Sequence, residues 1–270
     1  MKMVFIGAGS MAEAMIKGIK NAEAFSQDEL WVTNRNDKER LQLLTEKYDV
    51  KSSYDLSSLL TDAEVIILAV KPKDASDALQ AIRPYVKGQL LISVLAGLSI
   101  GFIESIIGKA PIARAMPNTS AMIGQSATGL SFNDQILRSQ HTLATSIFSA
   151  IGSVTHVEES RLDLVTGLSG SGPAYIYYIV EAMEKAASEL GEDAMPFIIQ
   201  TLKGAAHMLE SSDQSPEELR KAITSEGGTT EAGIAQLESH HVKDAFAECI
   251  KEATDHSGRL RRQFEQAHNI

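Results

Sequence analysis

The chain has 270 residues, which at roughly 100–200 residues per domain means about two domains and excludes a small scaffold held by disulfides. Its 35 acidic and 25 basic residues leave a formal charge of -10, with no Lys/Arg-rich tract, which argues against a nucleic-acid partner. Cys249 is the single cysteine, so no intramolecular disulfide can form, as in a reducing compartment.

Near the amino terminus the apolar run Val4-Phe5-Ile6 is broken by Gly7 and followed by Glu13, too short for a signal-peptide core. The terminus therefore reads as the mature one. The longest strongly apolar stretch, Leu90 to Ile103, has 14 residues and carries Ser93, Gly97, Ser99 and Gly101, against roughly 18 needed to span a bilayer. The expectation is a soluble, cytoplasmic protein without a membrane partner.

From Met1 to Glu158 short β-branched runs alternate with amphipathic ones, the signature of a parallel sheet wrapped by helices. Strands are expected at Met3 to Ile6, Leu30 to Asn34, Val65 to Val70, Gln89 to Leu95, Ile112 to Met116, Ala127 to Phe132 and Ser153 to Val157. Met11 to Lys20, Asp37 to Lys47 and Asp74 to Arg83 repeat apolar residues at helical spacing. The runs from Val65 and Leu90 are apolar on both faces, which places them centrally. After Ser160 the strand signal ends, and residues 159–270 read as all-helical. There Tyr175, Tyr178, Ile179, Ala182, Met183, Ala186 and Leu190 form one stripe, expected to face a core. Gly191 and Pro196 separate that helix from the next, and Ser215-Pro216 starts another. The fold class is thus α/β: a Rossmann-type doubly wound sheet over 1–158, then a helical domain over 159–270.

Gly7-Ala8-Gly9-Ser10-Met11-Ala12 follows the first strand and opens a helix, the setting in which a G-x-G-x-x-G/A pattern points to a dinucleotide. Glycines at 7 and 9 permit a tight turn and close approach of a pyrophosphate, Ala12 permits close helix packing, and the helix N-terminus favours the anion. The second strand ends Thr33-Asn34-Arg35-Asn36. No carboxylate is available for a ribose 2′-OH until Asp37, which is assigned to the next helix start, so Arg35 and Asn34 would receive a 2′-phosphate: NADP(H) in preference to NAD(H). Ala69-Val70-Lys71-Pro72 and Met116-Pro117-Asn118 end strands at the ligand edge of such a sheet. Lys71 faces phosphate or solvent, and Asn118 suits a nicotinamide carboxamide or simply a turn.

In the second half Gly167-Leu168-Ser169-Gly170-Ser171-Gly172-Pro173 is too glycine-rich for a helix interior and reads as a loop, with Pro173 in the following first turn. Ser225-Glu226-Gly227-Gly228-Thr229-Thr230 enters a helix from about Glu231. Its N–H groups suit a substrate carboxylate, the alternative being that Thr229 or Thr230 is only an N-cap.

Together Gly7 to Ala12, Ala69 to Pro72, Met116-Pro117-Asn118-Thr119, Gly167 to Tyr175, and Gly227-Gly228-Thr229-Thr230 with Gly233 and Leu237-Glu238 resemble pyrroline-5-carboxylate reductase, in order along essentially the whole chain. The resemblance implies reduction of 1-pyrroline-5-carboxylate to L-proline by NADPH. It places Ile6, Gly7, Ala8, Gly9, Ser10, Met11, Asn34, Arg35, Ala69, Val70, Lys71 and Pro72 around the cofactor. Around the substrate it places Ser225, Gly227, Gly228, Thr229 and Thr230, with the Thr230 hydroxyl approaching the ring nitrogen as the catalytic group. It also implies a homodimer through the helical domain, in some members a ring of dimers. Three positions depart from the family's usual pattern: Glu226 and Ser120 stand where proline is common, and Leu56 where an asparagine is often found near the adenosine.

Enzymes resembling β-hydroxyacid dehydrogenases share the Gly167, Gly170, Gly172 register, but a lysine and an asparagine stand where this chain has Ile176 and Val180. Alcohol oxidation without that proton acceptor forfeits roughly 10²- to 10⁴-fold in rate, whereas a cyclic imine can carry its own proton. Still open are a paralogue acting on another imine or hydroxy acid, and a non-catalytic dinucleotide-binding regulator. No metal is expected: His240-His241 would diverge on a helix, and His141, His156, His207, His256 and His268 have no ligand spacing. Cys249 is expected to be buried, and Arg259, Arg261 and Arg262 to form a solvated face or an intersubunit contact.

Overall fold

The computed structural model describes residues 1–189 and 194–267; Leu190, Gly191 and His268, singled out above, lie outside them. The chain divides into two compact units, Met1–Pro173 with Lys251–Ile270, and Ala174–Ile250.

In the first unit β1 (Lys2–Ile6), α1 (Ser10–Asn21), β2 (Glu29–Thr33), α2 (Lys38–Tyr48), β3 (Lys51–Ser52), α3 (Leu56–Leu60), β4 (Val65–Leu68) and α4 (Ala75–Ile82) come first. They are followed by β5 (Leu90–Ser93), α5 (Ile100–Ile107), β6 (Ile112–Met116), β7 (Ser126–Phe132), α6 (Arg138–Ser149) and β8 (Gly152–His156). All eight strands form one sheet in the order β3-β2-β1-β4-β5-β6-β7-β8. The central pair, β4 and β5, is buried at every residue, as their two-faced apolar runs require.

Side chains of β1 alternate between two cores. Met3 and Phe5 pack with Met15, Leu44 and Phe148 on one face, and Val4 and Ile6 with Leu60, Leu79 and Phe102 on the other. The sheet is therefore doubly wound. It is not wholly parallel as expected, because β7 runs antiparallel to β6, with Ala113 opposite Phe132 and Met116 opposite Gly129. The link over residues 117–125 is shorter than the dozen or so a parallel crossover needs. Helix α5 has no counterpart in the sequence reading, although Ile100, Phe102, Ile103, Ile106 and Ile107 share one face of it, with Gly101, Glu104 and Ser105 opposite. Ser99 starts it, Oγ accepting from the Phe102 N–H at 3.2 Å.

After β8 the chain enters α7 (Leu162–Val165), a π-helical turn (Thr166–Gly170) and α8 (Gly172–Glu189). The glycine-rich segment is thus helical and not the expected loop. The Ser171 N–H reaches back to the Thr166 carbonyl at 2.9 Å, and Ser169 Oγ donates to the Val165 carbonyl at 3.1 Å. One widened turn absorbs the glycines without breaking the helical path.

The second unit comprises the rest of α8, then α9 (Met195–Ser211), α10 (Pro216–Ala222) and α11 (Thr229–Ser239). Ser215 caps α10 with Glu218 in a capping box, as its local sequence dictates. Ile198 is the one fully buried apolar residue among the described residues of these helices. The stripe on α8 does not face a core within the chain: Tyr178 is 74% exposed, and Ala182, Met183 and Ala186 are exposed as well. A layer this thin has nothing of its own to put over that face.

The last helix is α12 (Val242–Ala267), whose residues from Lys251 onward belong to the first unit. Asp163 accepts from Ser257 Oγ at 2.8 Å and from Arg261 Nε at 3.2 Å, and Phe264 meets Phe102 edge-on with centroids 6.2 Å apart. Arg261 thus pairs with Asp163 within the chain, where a solvated face or an intersubunit contact was expected, while Arg259 pairs with Glu252.

Candidate functional site

Where β1 lies between β2 and β4 the strand order reverses, and their carboxyl ends open into a cavity of about 940 Å³. Such switch points are where open α/β sheets take ligands. Ile6, Gly7, Ala8, Gly9, Ser10, Met11, Asn34, Arg35, Ala69, Val70, Lys71 and Pro72 all line it. A second cavity, of about 610 Å³ near the amino ends of β4 and β5, contains none of them.

The glycine loop is set by contact with β4. Gly7 has φ 114°, and a Cβ there would stand 2.3 Å from the Ala69 carbonyl oxygen. Gly9 differs: a Cβ would meet no protein atom within 4 Å, so the room beside it belongs to the cavity. Gly9 is also the N-cap of α1, and no side chain caps that helix. Its first N–H groups are left for an anion, which fits a dinucleotide diphosphate.

At the end of β2 the Asn34 amide closes on Asp37, Nδ2 donating to the Asp37 carbonyl at 2.6 Å and Oδ1 accepting its N–H at 2.9 Å. Asp37 in turn caps α2, Oδ1 accepting from the Arg40 N–H at 2.9 Å. The first carboxylate after β2 is thus committed to a helix start. Arg35 is largely exposed and meets Asp74 at 3.4 Å across the mouth of the cavity. Lys71 and Lys73 also line the cavity, as does Leu56.

Asn118 is the one expected cofactor residue of the first unit outside the cavity lining. It is buried, with Nδ2 donating to the Ser169 carbonyl at 3.0 Å and Oδ1 accepting from the Ser120 N–H at 3.1 Å. Arg40 lines the cavity and holds Glu13, which is not part of the lining, and neither was singled out from the sequence as a site residue. Burial pushes the Glu13 carboxyl up, but hydrogen bonds from Tyr48, Lys47 and Arg40 outweigh it and hold its pKa at about 2. The only sequence signal for Arg40 was a basic residue early in a helix, where a solvated charge is the ordinary expectation.

In the second unit α11 begins at Thr229, two residues before the expected start, and Gly228 is its N-cap. Neither threonine is a cap, which removes the cap-only alternative. Gly227 has φ 73° and donates its N–H to Glu231 Oε2 at 2.7 Å. Gly228 sits so close to Ser225 that a Cβ would lie 2.6 Å from its Oγ. No side chain caps α11, so first-turn N–H groups point out of the helix unclaimed by a cap. The hydroxyls of Ser225, Thr229 and Thr230 make no hydrogen bond among the described residues, and Glu226 is exposed. The cluster offers N–H groups and neutral hydroxyls to a small anion.

Residues 159–260 match the family model described as pyrroline-5-carboxylate reductase dimerisation, and residues 2–97 match that of NADP oxidoreductase, coenzyme F420-dependent. Pyrroline-5-carboxylate reductase 2 of Bacillus subtilis (strain 168) is 47% identical, over 98% of this chain and 97% of that protein. The chain belongs to the pyrroline-5-carboxylate reductase family. The Coxiella burnetii pyrroline-5-carboxylate reductase structure superposes with a TM-score of 0.84 at 36% identity, covering 96% of this chain and 97% of that one. That of Plasmodium falciparum pyrroline carboxylate reductase, solved with NADP bound, gives 0.89 at 28% identity, covering 96% and 98%.

As a member of this family the chain carries no amine where the β-hydroxyacid dehydrogenases keep theirs: Ile176 and Val180 lie one turn apart on α8. His141 and His156 stack with centroids 4.9 Å apart beside Phe132. Burial, and then His141, push the His156 pKa down. No group of three or more His, Cys, Asp or Glu among the described residues is placed to hold a metal ion. His240 ends α11 and His241 takes a left-handed φ of 52° in the following turn, so the pair is not helical. Cys249 is exposed on α12, not buried as expected. No helix among the described residues is long and apolar enough to cross a membrane.

Proposed function

We propose that this chain reduces 1-pyrroline-5-carboxylate to L-proline with NADPH. The observation that carries this reading is 47% identity, over 98% of the chain, to a protein named for that reaction. The bound reduced nicotinamide would supply hydride to the imine carbon. Everything else falls to the chain's own groups.

The Gly7 to Met11 loop and the uncapped start of α1 would hold the diphosphate. Ala69 to Pro72 would flank it, with Asn34 and Arg35 at the adenosine ribose. Ser225 and the N–H groups at the start of α11 would pin the substrate carboxylate, and the Thr230 hydroxyl would hydrogen-bond the ring nitrogen. Positioning of this kind supplies much of a barrier reduction by itself. A cyclic imine arrives with the proton that an alcohol oxidation would have to lose, so a neutral hydroxyl suffices where a hydroxyacid dehydrogenase needs its lysine. Asn118 would act through Ser169, shaping the turn beside the cofactor.

In this reading 1–158 is the NADP-binding domain, and 159–270 is the substrate-binding and dimerisation domain. The apolar side chains exposed on α8 and α9, Tyr177, Tyr178 and Phe197 among them, would be covered by the same surface of a second copy, giving a homodimer and, by extension, a ring of dimers. In the same reading the protein would act in the cytoplasm. Purified protein given NADPH and 1-pyrroline-5-carboxylate should consume nicotinamide absorbance and yield proline, with hydroxy and keto acids inert. Oxidation with those acids alone would defeat the assignment, and a monomer by sedimentation would defeat the dimer.

Arg35→Asp should cut the preference for NADPH over NADH by roughly 10- to 100-fold, the worth of a charge-assisted hydrogen bond to the 2′-phosphate. Steady-state KM values for both dinucleotides test this, and an unchanged ratio removes Arg35 from the phosphate.

A further inference from the structure

Arg40 belongs to α2, yet its guanidinium reaches the glycine loop of α1. Nε donates to the Ala8 carbonyl at 2.8 Å and Nη2 to Glu13 at 2.6 Å. Glu13 also accepts from Lys47 Nζ at 2.9 Å and from the Tyr48 hydroxyl at 2.7 Å. The Ala8 carbonyl stands between the two loop glycines, and Ala8 is 8% exposed. Water cannot readily replace the donor that Arg40 supplies.

A loop that offers N–H groups to an anion works only while its carbonyls are turned elsewhere, since one oxygen aimed inward cancels an N–H dipole. Glu13 raises the same difficulty with a full charge. It lies in the first turn of α1, the turn whose N–H groups would face the diphosphate, and its side chain is turned onto three donors from α2.

We infer that Arg40 is a positioning residue for the cofactor diphosphate, clamping the Ala8 carbonyl out of the cleft, with Glu13 as its anchor. The inference rests on the cleft being the dinucleotide site. It concerns the diphosphate, which NADPH and NADH share, and not the 2′-phosphate that separates them.

Titration of the full-length protein with each dinucleotide, followed by nicotinamide fluorescence, tests it. Arg40→Ala should weaken NADPH and NADH by the same factor, about tenfold. In turnover the loss should appear in KM for both dinucleotides, with kcat at saturation lowered less than about twofold and KM for 1-pyrroline-5-carboxylate unmoved. Glu13→Gln alone should weaken both, by about threefold. In the Arg40→Ala background it should instead restore part of the loss, because a carboxylate that keeps Lys47 and Tyr48 but has lost its guanidinium partner carries more uncompensated charge beside the diphosphate. A purely structural pair would not reverse sign.

Loss of NADPH affinity alone would mean that Arg40 binds the 2′-phosphate directly, and no loss of either would mean that it does nothing for the loop; both results overturn the inference. Should Arg40→Ala fail to fold, Arg40→Lys is read by the same criteria, since one ammonium cannot span both acceptors. Gly9→Val serves as the separate control. If it leaves both affinities intact, the reading of the cleft itself fails.

Discussion

Gly7→Ala is expected to abolish measurable NADPH binding and to lower the melting temperature by about 10 °C. Two costs combine. At φ 114° the backbone is in a region closed to L side chains, and the added methyl would sit 2.3 Å from the Ala69 oxygen and 2.5 Å from its carbonyl carbon. Neither atom can yield, because the Ala69 N–H is held by the Ile6 carbonyl at 2.8 Å and the Gly7 N–H by the Thr33 carbonyl at 2.9 Å. Strain of roughly 3 kcal/mol at such a position corresponds to about 2–4 °C per kcal/mol in a domain of this size. Relief by moving the loop away from β4 would close the cavity that Gly9 leaves open. Calorimetry and a cofactor titration on the variant decide the matter: an affinity within twofold of wild type would show that the close approach of loop and strand is dispensable.

Thr230→Ala is expected to lower kcat by roughly 10²-fold, the worth of a hydrogen bond that orients a charged ring nitrogen for hydride, while leaving NADPH affinity and melting temperature nearly unchanged. The structure separates these outcomes. Thr230 is inside the first turn of α11 and not its cap, and its hydroxyl serves no other described residue. Truncation therefore removes no cap worth about 1 kcal/mol and leaves no buried acceptor unsatisfied. Thr230→Ser, which keeps the hydroxyl, should retain most of the turnover. Single-turnover rates for the two variants check this, and wild-type chemistry in Thr230→Ala would strip the residue of its catalytic role.

What is legible in the sequence is what is encoded locally. The strand, tight turn and helix from Lys2 to Asn21 lie in one short stretch, and glycines, a small Ala12 and apolar periodicity all describe that single neighbourhood. Ser215-Pro216 with Glu218 is complete within four residues. The two-faced apolar runs of β4 and β5 announced the sheet centre because burial acts on each residue type separately.

Other features depended on residues meeting across long separations. Asp163 holds Ser257 and Arg261 from 94 and 98 positions away, and Arg40 reaches Ala8 from 32, so neither carries a spacing signal. The direction of β7 is carried by the short link before it and not by strand composition, so strand patterning alone reads it as parallel. Exposure of the α8 stripe was hidden for another reason: periodicity states that a face is apolar but not which chain covers it. Sequence by itself determined the alternation of strand and helix and the chemistry of the two glycine-bearing turns. Only the tertiary structure decided which distant charges neutralise one another around the first of those turns, because electrostatic pairing depends on distance in space, which the order of residues along a chain does not contain.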